Sequence, residues 1–291
     1  MRAVHRLASA LIIFAGGFIT CPHHSLADIT SGLVVNLAFT ETSGTVATNT
    51  GSGSNGVLIN FPTNDSQWLG TALAFDGAND YVQVMQTGFS SYTFSAYLTP
   101  SGTAGTPFLW LTNGDINSNN GSLLVNGGRF SHYAITSIGQ IWANGTTPVV
   151  PGTTYHVIGV FSDNSYTELY VNGKREALIS GTIGSAITVG ADRLWLGHAG
   201  NGNTGTGIGS GVFGSAYFSG SMGDIRMYNR ALTGTVDANG VLIGGDLYEL
   251  TQAVPEPRTC TLAALSGGLV LALRLWRSRS ARGPACGGRA T

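Results

Sequence analysis

Asp76 and Asp80 bracket a tight Gly77-Ala78-Asn79 turn. Their carboxylate oxygens are hard ligands of the kind Ca2+ takes from Asp side chains and loop carbonyls. The same spacing also suits side-chain-to-backbone caps of the turn itself. Glycosidic hydrolysis needs two carboxylates flanking the scissile bond. Between residues 28 and 253 glutamate occurs only at Glu41, Glu168, Glu176 and Glu249, and no Gly-x-Ser-x-Gly nucleophile motif occurs. His132, His156 and His198 are far apart in sequence, and His156 falls inside a strand pattern, which gives it a packed structural role. No catalytic residue is nominated.

Two motif matches fail on context. Gly200-Asn-Gly202-Asn-Thr-Gly205 satisfies G-x-G-x-x-G but neither follows a βαβ pattern nor opens a helix, so it reads as a surface loop. Asp115-Ile-Asn117-Ser-Asn119-Asn-Gly121 resembles a calcium-binding loop, but its glycine comes one place late and Asn126 stands where a bidentate Glu is needed. Trp110, Trp142 and Trp195 could each offer a ring face to the apolar face of a sugar. Each sits in an alternating run, where core packing is the commoner outcome.

Short strands must position these residues. Leu33–Phe39, Ala72–Phe75, Tyr81–Val84, Tyr92–Leu98, Phe108–Leu111, Ser122–Val125, Phe130–Ile135, Tyr155–Phe161, Glu168–Val171, Leu194–Leu196 and Ile225–Tyr228 are β-rich and separated by Gly, Asn, Ser and Thr. Asn172-Gly173 between Tyr166–Val171 and Lys174–Ile179 is a hairpin signal. The one helix expected is short and starts near Thr233. Strands without alternating helices predict an all-β antiparallel sandwich.

Composition agrees. The chain has 291 residues, 43 of them glycine, with only 10% charged. Lys174 is the single lysine, whereas long helices need such residues on their wet faces. Twelve Phe, ten Tyr and five Trp exclude a disordered chain. Residues 28–253 hold six basic and fourteen acidic residues, a net charge of −8, which excludes the basic face that nucleic acid requires.

The two ends read as addresses. Arg2 and Arg6 precede an apolar stretch, Leu7–Ile19, and Ser25-Leu26-Ala27 places small residues for cleavage between Ala27 and Asp28. The alternative is an uncleaved anchor. At the other end, Pro255-Glu256-Pro257 is followed by the apolar run Cys260–Leu273 and by Arg274, Arg277, Arg279 and Arg282. Positive charge after an apolar run holds that end on the cytoplasmic side. The three cysteines, Cys21, Cys260 and Cys286, all lie in these terminal segments. The expected organisation is a signal peptide at 1–27, one domain at 28–250, a linker at 251–258, an apolar anchor helix at 259–276 and a basic tail at 277–291.

The ordered C-terminal pattern resembles the PEP-CTERM sorting signal. That resemblance implies an exosortase-type processing partner, cleavage near Pro255-Glu256-Pro257 and delivery to the surface or extracellular polysaccharide of a bacterium. An ordinary membrane anchor is the alternative.

The body carries its own ordered motifs. Leu73-Ala-Phe-Asp-Gly-Ala-Asn-Asp-Tyr-Val82, Tyr92–Pro100, Tyr155–Phe161 with Leu169-Tyr-Val-Asn-Gly-Lys174, and Phe218–Leu232 resemble, in order, the motifs of LamG-like (concanavalin A-like) jelly-roll domains. Tyr97 and Tyr155 stand where that family often has Trp, which implies two core aromatics. The E-x-D-x-x-E strand of laminarinase-type relatives has no counterpart here. The resemblance implies a calcium site at a loop rim, for which Asp224 would join Asp76 and Asp80. It also implies a secreted or cell-surface, non-catalytic protein that binds carbohydrate or matrix components. A matrix filler without a specific ligand and a divergent glycoside hydrolase are the alternatives.

Overall fold

The computed structural model describes residues 29–86, 88–103, 107–112, 119–187, 193–198 and 217–252. Expectations for residues 1–28, for the loops at 113–118 and 199–216 and for residues 253–291 lie outside the described residues. Among those described, no helix is long and apolar enough to cross a membrane.

Among the described residues, seventeen strands and one helix follow in chain order. They are β1 (Leu33–Leu37), β2 (Val46–Ala47), β3 (Gly56–Ile59), β4 (Leu73–Asp76), β5 (Tyr81–Met85), β6 (Tyr92–Pro100), β7 (Pro107–Thr112), β8 (Asn119–Asn126) and β9 (Arg129–Thr136). There follow β10 (Gly139–Pro148), β11 (Tyr155–Ser162), β12 (Tyr166–Val171), β13 (Lys174–Ser180), β14 (Arg193–Leu196), β15 (Ser219–Tyr228), β16 (Thr235–Val236), β17 (Leu242–Gly244) and α1 (Asp246–Gln252).

Two antiparallel sheets face each other. One runs β1-β15-β6-β11-β12-β13, with β4 also pairing along β15; the other runs β10-β9-β8-β7-β14-β5-β3-β2. Period-two alternation supplies the core between them. On β6, Tyr92, Phe94, Ala96 and Leu98 point inward, and on β11, Tyr155, Val157 and Phe161 do the same. The Asn172-Gly173 hairpin is present, with φ of 49° and 76° at its two central residues, the signs a type I′ turn requires.

The outer faces differ. Part of the seven-stranded sheet's outer face is covered by the C-terminal segment, where Leu232, Leu242, Leu247 and Leu250 pack on Ile158, Val160, Tyr170 and Tyr228. Another part, around Tyr97, is open and forms the site below. On the eight-stranded sheet, Tyr81, Leu124, Tyr133 and Trp195 form a separate apolar layer outside the main core.

Two expectations need correction. No helix starts near Thr233; that stretch leads into β16, and the helix is α1. Gly234 packs so closely that an added Cβ would meet Leu242 at 2.7 Å, and Thr235 and Val236 are β-branched, which favours a strand. The Thr233 carbonyl instead accepts a bond from the Leu247 amide of α1 at 3.0 Å. The domain also continues past residue 250, since α1 runs through Gln252.

Candidate functional site

Three strands of the seven-stranded sheet meet at the site. In their shared register Tyr97 of β6 lies between His156 of β11 and Gly223 of β15. Both side chains point outward, because their strand neighbours fill the core. This corrects the expectation for Tyr97. Tyr155 is a core aromatic, but Tyr97 is half-buried on the outer face.

His156 braces Tyr97. Their rings stack at 4.0 Å, 10° from parallel. The imidazole Nε2 shares a 2.8 Å hydrogen bond with Ser95 Oγ. The hairpin fixes the backbone beneath it: the His156 amide donates to Asn172 Oδ1 at 2.8 Å, and the Asn172 amide donates to the His156 carbonyl at 2.8 Å. Burial, assisted by the positive charge of Arg226, pushes the His156 pKa down to about 3. It is therefore neutral near pH 7. Burial, and then the Asp224 carboxylate, raise the Tyr97 phenol above its ordinary value.

On its other flank Tyr97 pairs with Gly223, which presents no side chain. A cavity of about 500 Å³ opens there, walled by Thr99, Thr154, Ser221, Asp224 and Arg226 and by the Thr71-Ala72 loop. Gly223 is required by close approach: an added Cβ would sit 2.5 Å from the Thr71 carbonyl oxygen. A second chamber of about 360 Å³ continues past Tyr97 and His156 to Asn172, Leu242, Thr251 and Gln252.

A β-bulge shapes the charged end. The register slips between Gly223 and Arg226. Met222 and Ile225 both face the core, so strict alternation would aim residue 224 inward. The bulge takes Asp224 as its extra residue at φ 42°, a conformation that Asp tolerates better than most side chains, and turns its carboxylate outward. There Asp224 Oδ1 accepts a 2.8 Å bond from Arg226 Nε.

The structure does not bring the three proposed calcium ligands together. Asp76 pairs with Ser219 at one end of β15, and Asp224 lies five residues further on, roughly 17 Å at ~3.4 Å per residue. Asp76 and Asp80 do share a turn. Asp76 Oδ1 accepts from the Ala78 amide at 2.7 Å and the Asn79 amide at 3.3 Å, and Asp80 Oδ2 accepts from the Asp76 amide at 3.0 Å. Asp80 Oδ1 is buried without a partner. Burial raises the Asp80 pKa, with the Asp76 amide opposing and the Asp76 charge adding to the rise. Among the described residues no three His, Cys, Asp or Glu side chains form a group that could hold a metal.

The three tryptophans all lie on the other sheet. Trp195 is 1% exposed and packs on Tyr81 at 4.9 Å. Trp142 is half-buried and packs on Tyr133 at 4.3 Å. Trp110 of β7 pairs with Trp195 of β14. The aromatic ring beside a cavity is Tyr97, which sequence reasoning assigned to the core. The signal was present: in Tyr92-Thr-Phe-Ser-Ala-Tyr-Leu-Thr-Pro100, Tyr97 shares its parity with Thr93, Ser95 and Thr99.

Comparisons place this geometry among known folds. Domain 4 of AbnA, a GH43 extracellular arabinanase from Geobacillus stearothermophilus solved in complex with arabinotriose, is 15% identical, with a TM-score of 0.51 over 77% of this chain and 98% of that one. The ligand-binding domain of botulinum neurotoxin serotype D, in complex with N-acetylneuraminic acid, is 12% identical, with a TM-score of 0.50 over 72% of this chain and 50% of that one. At these identities the likeness is one of fold. No curated protein matches the chain. The concanavalin A-like lectin/glucanases superfamily (Laminin_G_3) matches residues 76–235, more than half of the sequence and all of β5 to β15, and the chain belongs to that superfamily.

Proposed function

We propose that the protein is a non-catalytic glycan-binding module displayed at a bacterial cell surface. The observation that carries this is the cavity beside Tyr97: one flank of the ring is braced by His156, and the other opens onto about 500 Å³ walled by hydroxyls and the outward Asp224. Sugar recognition uses this combination, an aromatic face for the apolar side of the ring and a few placed polar groups for its hydroxyls. Asp224 is the one carboxylate on these walls and is engaged by Arg226, whereas glycosidic hydrolysis calls for two. The arabinotriose held by the arabinanase domain adds support from a domain of the same fold.

Surface display rests on the terminal segments: a signal peptide ending at Ala27, and an exosortase-type processing enzyme acting near Pro255-Glu256-Pro257. Intact mass of the natively produced protein is expected to match a chain from Asp28 to about residue 255. Retention of residues 260–291 would leave a plain membrane anchor instead.

A glycan array probed with and without calcium tests binding. Specific hits that Tyr97→Ala abolishes support the module. Silence across the array favours a matrix filler, and turnover of an arrayed glycan restores the hydrolase.

A further inference from the structure

Asp224 and Arg226 are unequally accessible. Their side chains bond at 2.8 Å, yet the Asp224 side chain is 28% exposed and that of Arg226 10%. The bulge produces this asymmetry, with Arg226 on the sheet surface as a buried anchor and Asp224 on the cavity side. The remaining side chains on the cavity walls carry no charge. They are hydroxyls, small apolar groups and the Tyr97 phenol. His156, behind the ring, is neutral. Among the described residues on these walls the more accessible charge is therefore negative, and it belongs to an acceptor without a proton to give.

We propose that the groove selects uncharged glycans and rejects chains bearing uronate, sulfate or sialate groups, an inference that rests on the glycan-binding reading above. A neutral sugar donates hydroxyl protons to the Asp224 carboxylate, bonds strengthened by the acceptor's charge. An anionic sugar in the same place meets the more exposed carboxylate, while the nearest cation, Arg226, is more buried and already engaged by it. Arg226 holds the acceptor in place instead of capturing an anion. The body as a whole acts in the same direction: its net charge of −8 between residues 28 and 253 repels polyanions over a Debye length of about 8 Å at physiological salt.

The test is calorimetric titration of the natively produced protein with length-matched trisaccharides at 0.15 and 0.5 M NaCl. The neutral probes are arabinotriose, xylotriose and cellotriose, and the anionic probe is trigalacturonate. At least one neutral probe is expected to bind tenfold or more tighter than trigalacturonate at both salt concentrations, since a local carboxylate discriminates after long-range repulsion is screened. Asp224→Asn keeps an acceptor oxygen but leaves Arg226 uncompensated, so it should raise trigalacturonate affinity at least tenfold. The neutral pair Asp224→Asn with Arg226→Gln guards against misfolding from an unpaired buried cation and should bring the two probe classes within threefold of each other. Equal or tighter binding of trigalacturonate by the unaltered protein would overturn the selectivity and leave the glycan reading standing. Binding of none of the four probes would overturn both.

Discussion

The rings of Tyr97 and His156 lie 4.0 Å apart and 10° from parallel, so the imidazole is the wall against which the phenol stands. Tyr97→Ala is expected to weaken glycan binding about tenfold or more, ~1.4 kcal/mol per tenfold, while Tyr97→Phe keeps the ring and most of the affinity. His156→Ala removes the brace and should fall between them. Titration calorimetry of the three variants checks the order, and a Tyr97→Ala protein that binds as the unaltered one does would remove the ring from the site.

Gly223 is expected to tolerate no side chain. A Cβ there would meet the Thr71 carbonyl at 2.5 Å and the Ala72 Cβ at 3.4 Å, both on the loop that walls the cavity. Gly223→Ala should cost about 1–3 kcal/mol by overpacking and should weaken glycan binding as the loop moves. Urea midpoints and titration measure the two effects separately. An alanine variant with unchanged midpoint and affinity would show that the loop is not held there.

Three buried histidines make the fold sensitive to acid. Burial lowers His132 to about 4, with its hydrogen-bonding near Glu168 opposing, and lowers His198 to about 4; burial and Arg226 lower His156 to about 3. In each case the folded value lies below the unfolded one of ~6.5, so the unfolded chain binds more protons between about pH 6.5 and 4. Stability is therefore full above pH 6.5 and falls as the pH drops through that window. His132, locked between the sheets beside Tyr92 and Phe94, should contribute a loss on the order of 3 kcal/mol by pH 4. Urea unfolding from pH 4 to 7 is expected to show this slope, and His132→Leu is expected to flatten it. A pH-independent midpoint would contradict the burial of these rings.

Asp80→Ala is expected to destabilise by ~1 kcal/mol, the cost of a lost cap, to the same extent with and without calcium. Its carboxylate already binds the Asp76 amide. A rise in melting temperature on adding millimolar calcium to a metal-stripped sample, abolished by Asp80→Ala, would instead assign an ion to its unpartnered Oδ1.

The strands were legible because their alternation is set by burial between two sheets. Leu33, Tyr81, Tyr92, Phe130, Tyr155 and Ile225 all fall in strands where alternation placed them. β10 is absent from the expected strands, of which only an alternating run at Trp142 was noted, and it contains Asn144-Gly145, a pair of turn-forming residue types. That pair lies within the strand because Gly145 passes close to its neighbours: an added Cβ would meet Glu176 Oε2 at 2.6 Å and the Phe130 carbonyl at 2.9 Å. The site was less legible. Asp224 was grouped with Asp76 and Asp80 because their motifs are conjoined in the family pattern, but a bulge is one extra residue against a partner strand and leaves no periodic trace in its own. Tyr97 was misassigned because likeness to an aromatic family position was preferred over parity along β6.

Thr251 and Gln252 wall the second chamber, so the last described residues of the domain lie at the mouth of its own groove. An attachment made through the residues beyond Gln252 would act as a tether pivoting at that mouth. The groove would then sit against the supporting surface rather than facing away from it. A polymer strand lying along that surface would meet the groove at the effective concentration set by a very short leash, and weak binding to each sugar would suffice to hold it.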